Sequence, residues 1–226
     1  MSNRAARLRA FHQEAGACTK CHEAGLLHVE SPHQRARPLF QKNPTCVSGV
    51  MVVAEAPNWD DTYDPNKGFL TYEADTDPTG SFTVELLASV GLKPEDVLFS
   101  NAVLCLPARK GERHPVSAPQ RNACRPWLKR LVEAADPLVV VTLGAQALMA
   151  LGRLEPHGLT PRTGVGKLHR WMDRYLLPLY HPGRLGRIAR PAAQQFQDIA
   201  VLKQVLTGCA DSAPATSARG GGTQET

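Results

Sequence analysis

Cys18-Thr-Lys-Cys21 is a CxxC pair in a polar N-terminal stretch, and Cys105 and Cys124 follow much later. Together they offer four thiolates, the donor set of a tetrahedral zinc or a [4Fe–4S] cluster. A redox pair is the third reading of the CxxC, and the absence of a preceding strand disfavours it. Cys46 and Cys209 have no partner at ligand spacing and read as free thiols. A second set of polar groups falls where apolar runs stop: Glu55-Ala56-Pro57, Asn101 and His181-Pro182. A carboxylate, an amide and an imidazole can bind a small polar group, read its edge and manage a proton. Behind Glu55 runs the acidic stretch Asn58–Gly80, which includes Asp60 and Asp61. Its length suits a functional or disordered loop more than a turn.

These groups need a scaffold that brings strand ends together. Residues 1–16 read as a short amphipathic helix around Leu8 and Phe11. Gly49–Ala56, Val97–Leu106, Leu138–Leu143 and Tyr175–Tyr180 read as buried strands, apolar almost throughout. Between them the spacing predicts a helix capped by Ser81 and running to about Val90, and one over Ala118–Ala135 opened by Pro119. Gly144 starts another through Leu151, and a last helix spans Pro191–Thr207. Gly152–Gly166 reads as loop. Apolar strands alternating with helices imply an α/β fold, a three-layer αβα sandwich on a short, mostly parallel sheet. Such sheets place ligands beyond the carboxyl ends of their strands, where Glu55, Asn101 and His181 fall. Residues 1–47 are expected as a CxxC-bearing segment of the same domain, 48–208 as the α/β domain, and 209–226 as a disordered tail.

The chain has 226 residues, 42% of them hydrophobic, and a net charge of +5. That charge is unevenly spread. Residues 48–100 carry two Lys/Arg against ten Asp/Glu, while residues 101–208 carry sixteen against six. A basic half beside an acidic segment suits a polyanion partner with a carboxylate-bearing site nearby. No apolar run approaches the roughly 20 residues of a membrane span. Met1–Ala10 is polar and arginine-rich, unlike a secretory signal. The expectation is a cytoplasmic, nucleoid-associated monomer with no membrane partner.

Ala54-Glu-Ala-Pro-Asn-Trp-Asp-Asp61 resembles the first motif, GEAPGxxE, of iron–sulfur uracil-DNA glycosylases. Gly68-Phe69 resembles the Gly-x-Pro-Phe element after it, and Ser100-Asn-Ala-Val-Leu-Cys-Leu-Pro107 the TNxxKCRPP strand. Cys124-Arg-Pro-Trp-Leu128 is similar to CxPxL, Val139–Ala145 to IVxLGxxA, and Tyr180-His-Pro-Gly-Arg-Leu185 to YHPxxL. With Cys18 and Cys21 in front, the ordered set spans about residues 15–206. Ala54 and Asn58 stand where the motif has Gly, Asp61 replaces Glu, and Phe69 lacks its preceding Pro.

The resemblance implies a DNA repair glycosylase that flips uracil, or a related deaminated base, out of the duplex and hydrolyses its N-glycosidic bond. It implies that Asn101 reads the base edge, Phe69 stacks on the base, and Ala56 and Pro57 line the pocket. His181 then donates to O2, and of Glu55, Asp60 and Asp61 the match to the motif's last carboxylate favours Asp61 for positioning the water, with Glu55 serving the pocket mainly through its backbone. Leu185 fills the vacated place in the stack, from a loop whose Arg184 and Arg187 grip phosphate. Arg109, Lys110 and Arg113 form a second phosphate contact, and Cys18, Cys21, Cys105 and Cys124 hold a [4Fe–4S] cluster. The first-motif departures leave a second reading, a non-catalytic iron–sulfur protein that binds uracil or damaged DNA. A zinc-stabilised basic module is the third.

Overall fold

A computed structural model describes residues 3–27, 37–41, 44–57, 63–64, 69–70, 77–108, 110 and 115–210. In chain order these form α1 (Asn3–Gly16), α2 (Lys20–Glu23), β1 (Phe40–Gln41), β2 (Val50–Ala54), β3 (Tyr63–Asp64) and β4 (Phe69–Leu70). They continue with α3 (Pro78–Ala88), β5 (Leu98–Asn101), α4 (Ala118–Ala135), β6 (Val139–Leu143), α5 (Ala145–Gly152) and α6 (Pro161–Gly164). The last elements are β7 (His169–Trp171), β8 (Arg174–Leu179), α7 (Arg184–Ala189), α8 (Ala192–Ile199) and α9 (Leu202–Ala210).

The main sheet has the order β5-β2-β6-β8-β7. Its first four strands are parallel, and β7 pairs antiparallel with β8. Strands without polar alternation must bury both faces, and they do. Met51, Val53, Leu98, Val140 and Leu176 face one core with Leu8, Phe11, Leu128, Leu131 and Leu148 from α1, α4 and α5. Val50, Val52, Phe99, Val141 and Leu177 face the other with Phe82, Leu86, Leu87, Ile199 and Leu202 from α3, α8 and α9. The result is the three-layer αβα sandwich. Each buried Val or Leu contributes about 1.5–3 kcal/mol. An exposed pair such as Lys129–Glu133 contributes at most about 1 kcal/mol, so the apolar faces hold the sheet together.

A small second sheet, β1-β4-β3, lies beside β5. Gln41 of β1 binds it there, donating through Nε2 to Val97 O at 3.2 Å and accepting from Phe99 N at 3.0 Å. Phe69 of β4 pairs in register with Phe40 of β1. The N-terminal segment joins the same core, since Leu8, Phe11 and Ala15 pack with the α4 residues.

Several local expectations are corrected. The α3 cap is Asp77, not Ser81: its Oδ1 accepts from Thr79 N at 2.9 Å, and Pro78 takes the first helical position. The strand expected over Val97–Leu106 ends at Asn101, where the chain turns away from the sheet. The stretch 152–166 holds a short helix, and β7 adds an edge strand that the polar His169-Arg170-Trp171 does not advertise. The final helix is broken in two, at 200–201. The loop after His181 is itself helical, as α7. The tail beyond residue 210 lies outside the described residues. Among those described, no helix is long and apolar enough to cross a membrane.

Candidate active site

Parallel pairing puts the carboxyl ends of β5, β2 and β8 on one edge of the sheet. Ala54 pairs in register with Asn101. The pairing persists past the strand ends, with Ala102 N donating to Ala54 O at 2.8 Å and Val103 N to Glu55 O at 2.9 Å. The Glu55-Ala56-Pro57 turn is thereby clipped beside Asn101, whose polar side chain is only 3% exposed. His181 follows β8, three strand spacings from β5, or roughly 14 Å across the sheet. Asn101 and His181 thus stand at the same edge of the sheet, with the strand ends of β2 and β6 between them.

His181 sits in a tight cradle. Gly144, with φ +91° after β6, would bring a Cβ to 3.3 Å from His181 Cβ. A Cβ on Gly186 would overlap the His181 carbonyl, so only glycine fits there. Gly183 N donates to His181 Nδ1 at 3.0 Å. An Nδ1 that accepts is unprotonated, so a neutral ring carries its proton on Nε2 and presents a donor. His181 reaches solvent, yet the cradle strips water from its ring and lowers its pKa below the ordinary value, and the nearby Asp77 carboxylate pulls it partly back. Both the hydrogen bond and the partial desolvation of the ring favour its neutral form.

Glu55 is half-buried. Burial raises its pKa, and the Arg121 guanidinium opposes that rise. Arg121, in the first turn of α4, donates through Nη1 to Val116 O at 2.8 Å. Its Nε is buried with no hydrogen-bond partner among the described residues.

Away from the strand ends, three cysteines are gathered. Cys21 and Cys105 share a small buried cluster with Leu27, flanked by Leu26 and Ala123. The neighbouring Cys124 thiol lowers the Cys21 pKa. The segment is strapped there by Ala108 N to Leu26 O (3.0 Å) and Gln120 Nε2 to Leu26 O (2.9 Å). Cys18 stands half-buried just before α2. Soft thiols drawn from three parts of the chain fit a thiolate-bound group in chemistry. Among the described residues, however, no three His, Cys, Asp or Glu side chains stand as a metal-ligand group. Cys46 is a core thiol that donates to Val50 O, with its pKa pushed up to about 11 by burial.

A family model, uracil DNA glycosylase superfamily, matches residues 40–202. The chain belongs to the uracil-DNA glycosylase superfamily. It is 31% identical over 138 residues to a type-4 uracil-DNA glycosylase of Archaeoglobus fulgidus. That alignment covers 59% of this chain and spans 64% of the relative's length.

The superfamily match runs from β1 to the start of α9 and takes in Glu55, Asn101, Cys105, Cys124 and His181. Cys18 and Cys21 precede it. Of the residues expected at the site, Glu55, Ala56, Pro57, Asn101 and His181 come together at the strand ends. Asp61, Arg109 and Arg113 lie outside the described residues, as does the Phe69 side chain. Lys110 is exposed. Arg184, Leu185 and Arg187 belong to a helix rather than a loop. Two charged residues escaped the sequence reading. Asp77 carried a usable signal, an Asp-Pro pair at a helix start. Arg121 carried none, because only the fold turns it toward Glu55.

A cavity of about 390 Å³ at the opposite edge of the sheet is lined by Arg4, Asp136, Asp173 and Arg174. Its arginines bind carboxylates or carbonyls, through Arg4 to Cys46 O and Arg174 to Asp173, and so it reads as structural.

Proposed function

We propose that this superfamily member is a DNA repair glycosylase that hydrolyses the N-glycosidic bond of uracil, or a related deaminated base, and leaves an abasic site. The observation that carries the reading is the Gly183–His181 hydrogen bond, which leaves an Nε2–H donor at the sheet edge that also holds the buried Asn101.

A base flipped between them meets complementary chemistry. The Asn101 amide offers an acceptor to N3–H and a donor to O4. As the glycosidic bond breaks, negative charge gathers on the departing base, and the neutral His181 ring donates to O2 without surrendering its proton. The sugar becomes oxocarbenium-like. Asp61 and Glu55 offset that charge and orient the water that adds to C1′. Water supplies the hydroxyl to the sugar and a proton to the base, so the reaction balances without a further reagent. Phe69 stacks on the base, and Ala56 and Pro57 line the pocket. Leu185, Arg184 and Arg187 on one side, with Arg109, Lys110 and Arg113 on the other, engage the DNA.

Cys18, Cys21, Cys105 and Cys124 would hold a [4Fe–4S] cluster. When bound, it supplies a rigid thiolate tie between the N-terminal segment and the start of α4, with no part in the hydrolysis. The reading as a non-catalytic DNA binder rests on the first-motif departures alone, and nothing among the described residues adds to it.

Excision assays on single- and double-stranded oligonucleotides carrying uracil, hypoxanthine or xanthine test the proposal. Abasic product from one of them is expected, and its absence with anaerobically purified protein rejects catalysis. Brown protein that loses its visible absorbance on Cys124→Ala supports the cluster. Colourless protein containing zinc refutes it.

A further inference from the structure

Five large apolar side chains are exposed among the described residues, and two of them share the short helix α7. Leu185 and Ile188 are each 71% exposed. Three residues apart, they lie on one face, with Cβ atoms about 5–6 Å from each other. Successive bases on a strand are separated by about 3.4 Å. The pair therefore spans about one base step, or slightly more.

α7 is not free to turn these side chains inward. Gly186 backs onto the His181 carbonyl with no room for a Cβ. The Arg187 guanidinium lies over the Phe82 ring of α3 at 5.2 Å. Beyond the helix, Arg190 donates to both carboxylate oxygens of Asp198, at 2.8 and 2.6 Å, and its carbonyl accepts from Gln195. Two apolar side chains held outward side by side on a pinned helix form a small exposed apolar edge that a partner can cover. Of the three arginines that follow Pro182, Arg190 is neutralised by Asp198, while Arg184 and Arg187 on α7 pair with no carboxylate among the described residues, a positive charge that fits a polyanion.

We propose that Ile188 is a second wedge residue. Leu185 enters the place vacated by the flipped base, and Ile188 presses into the adjacent base step of the same duplex. This rests on the glycosylase reading and extends it from one inserted side chain to a two-residue edge. The occupant is the base stack of double-stranded DNA, since the bases of a single strand, unpaired and loosely stacked, swing apart without a wedge.

The test compares excision from double- and single-stranded uracil oligonucleotides for the wild type, Ile188→Ala and Ile188→Leu. The expected result is a fall of about tenfold in the double-to-single-strand rate ratio for Ile188→Ala, with recovery in Ile188→Leu. A ratio within twofold of wild type in Ile188→Ala overturns the proposal. If the wild type excises from neither strand type, the glycosylase reading fails by itself. The wedge is then judged by 2-aminopurine placed beside the uracil in a duplex. Brightening on wild-type binding that Ile188→Ala loses supports it, and equal brightening overturns it. Sedimentation that finds a dimer dissolved by Ile188→Ala also overturns it, because the patch would then meet a second copy of the chain.

Discussion

The Gly183 amide donates to His181 Nδ1 at 3.0 Å, and this bond fixes where the ring's proton resides. A neutral ring so held can only donate through Nε2. His181→Ala removes that donor from a solvent-reaching residue, so the fold should survive. Single-turnover excision should fall by about 10²–10³-fold, the usual cost of losing one donor to a developing anion. Activity within a few-fold of wild type would remove His181 from the chemistry.

Protonating Nδ1 would set two N–H groups against each other, so activity should fade as pH drops through the His181 pKa. Partial desolvation holds that pKa below its ordinary value, and Asp77 opposes the shift. Asp77→Asn keeps a side-chain cap for α3 and removes the opposing charge. The acidic limb of the pH–rate profile should move to lower pH. An unchanged or raised limb would show that Asp77 acts only as a cap.

Arg121 predicts the opposite displacement. Burial raises the Glu55 pKa and Arg121 holds it down. In Arg121→Gln the Glu55 carboxylate should take up its proton at higher pH, moving the acidic limb upward. Profiles of Asp77→Asn and Arg121→Gln that move in the same direction would contradict this division of roles.

A methyl group at position 186 has nowhere to go except into the His181 carbonyl. Gly186→Ala should destabilise the protein by about 1–3 kcal/mol, as overpacking does. It should also weaken excision, because the same strain displaces His181. Urea unfolding and single-turnover rates on one preparation check both effects.

His12 stacks on Phe40 at 4.3 Å, and burial pushes its pKa down to about 4. Between that value and the ordinary 6.5, the unfolded chain binds a proton that the native protein does not. Its contribution to stability is therefore complete above pH 6.5 and is lost as pH falls toward 4. His12→Phe keeps a stacked ring and should flatten the urea midpoint across that window by up to one proton's slope. An unaltered slope would place the acid sensitivity elsewhere.

Much of this was legible in the sequence because buried parallel strands announce themselves. Val139–Leu143 has no surface face, and so its apolar run marks it on its own. α4 is legible from Pro119 at its start, and the structure adds a capping box between Ser117 and Gln120. The site residues at Glu55, Asn101 and His181 were visible as polar punctuation at the ends of such runs. What stayed hidden depends on distant contacts. α7 contains Gly186 and follows Pro182-Gly183, a pattern that reads as loop, and its helix is pinned by His181, Phe82 and Asp198. The break at 200–201 left the apolar periodicity of Phe196, Ile199, Leu202 and Leu206 intact, so the pattern ran across it. Arg121 and Asp77 reach their partners only once α4 and α3 pack against the strand ends.

Gly186 has no room for a Cβ beside the His181 carbonyl, which couples α7 to the His181 turn as one stiff lever. Under the proposed function, how far α7 sinks into a duplex would set where Nε2 stands over the emptied base position. Lesion search and bond cleavage would then share a single mechanical coordinate, like a gauge whose needle is also its trigger. A shallow encounter with intact DNA would leave the donor short of any target, and restraint toward undamaged bases would arise from the backbone in addition to the hydrogen bonds that read the base.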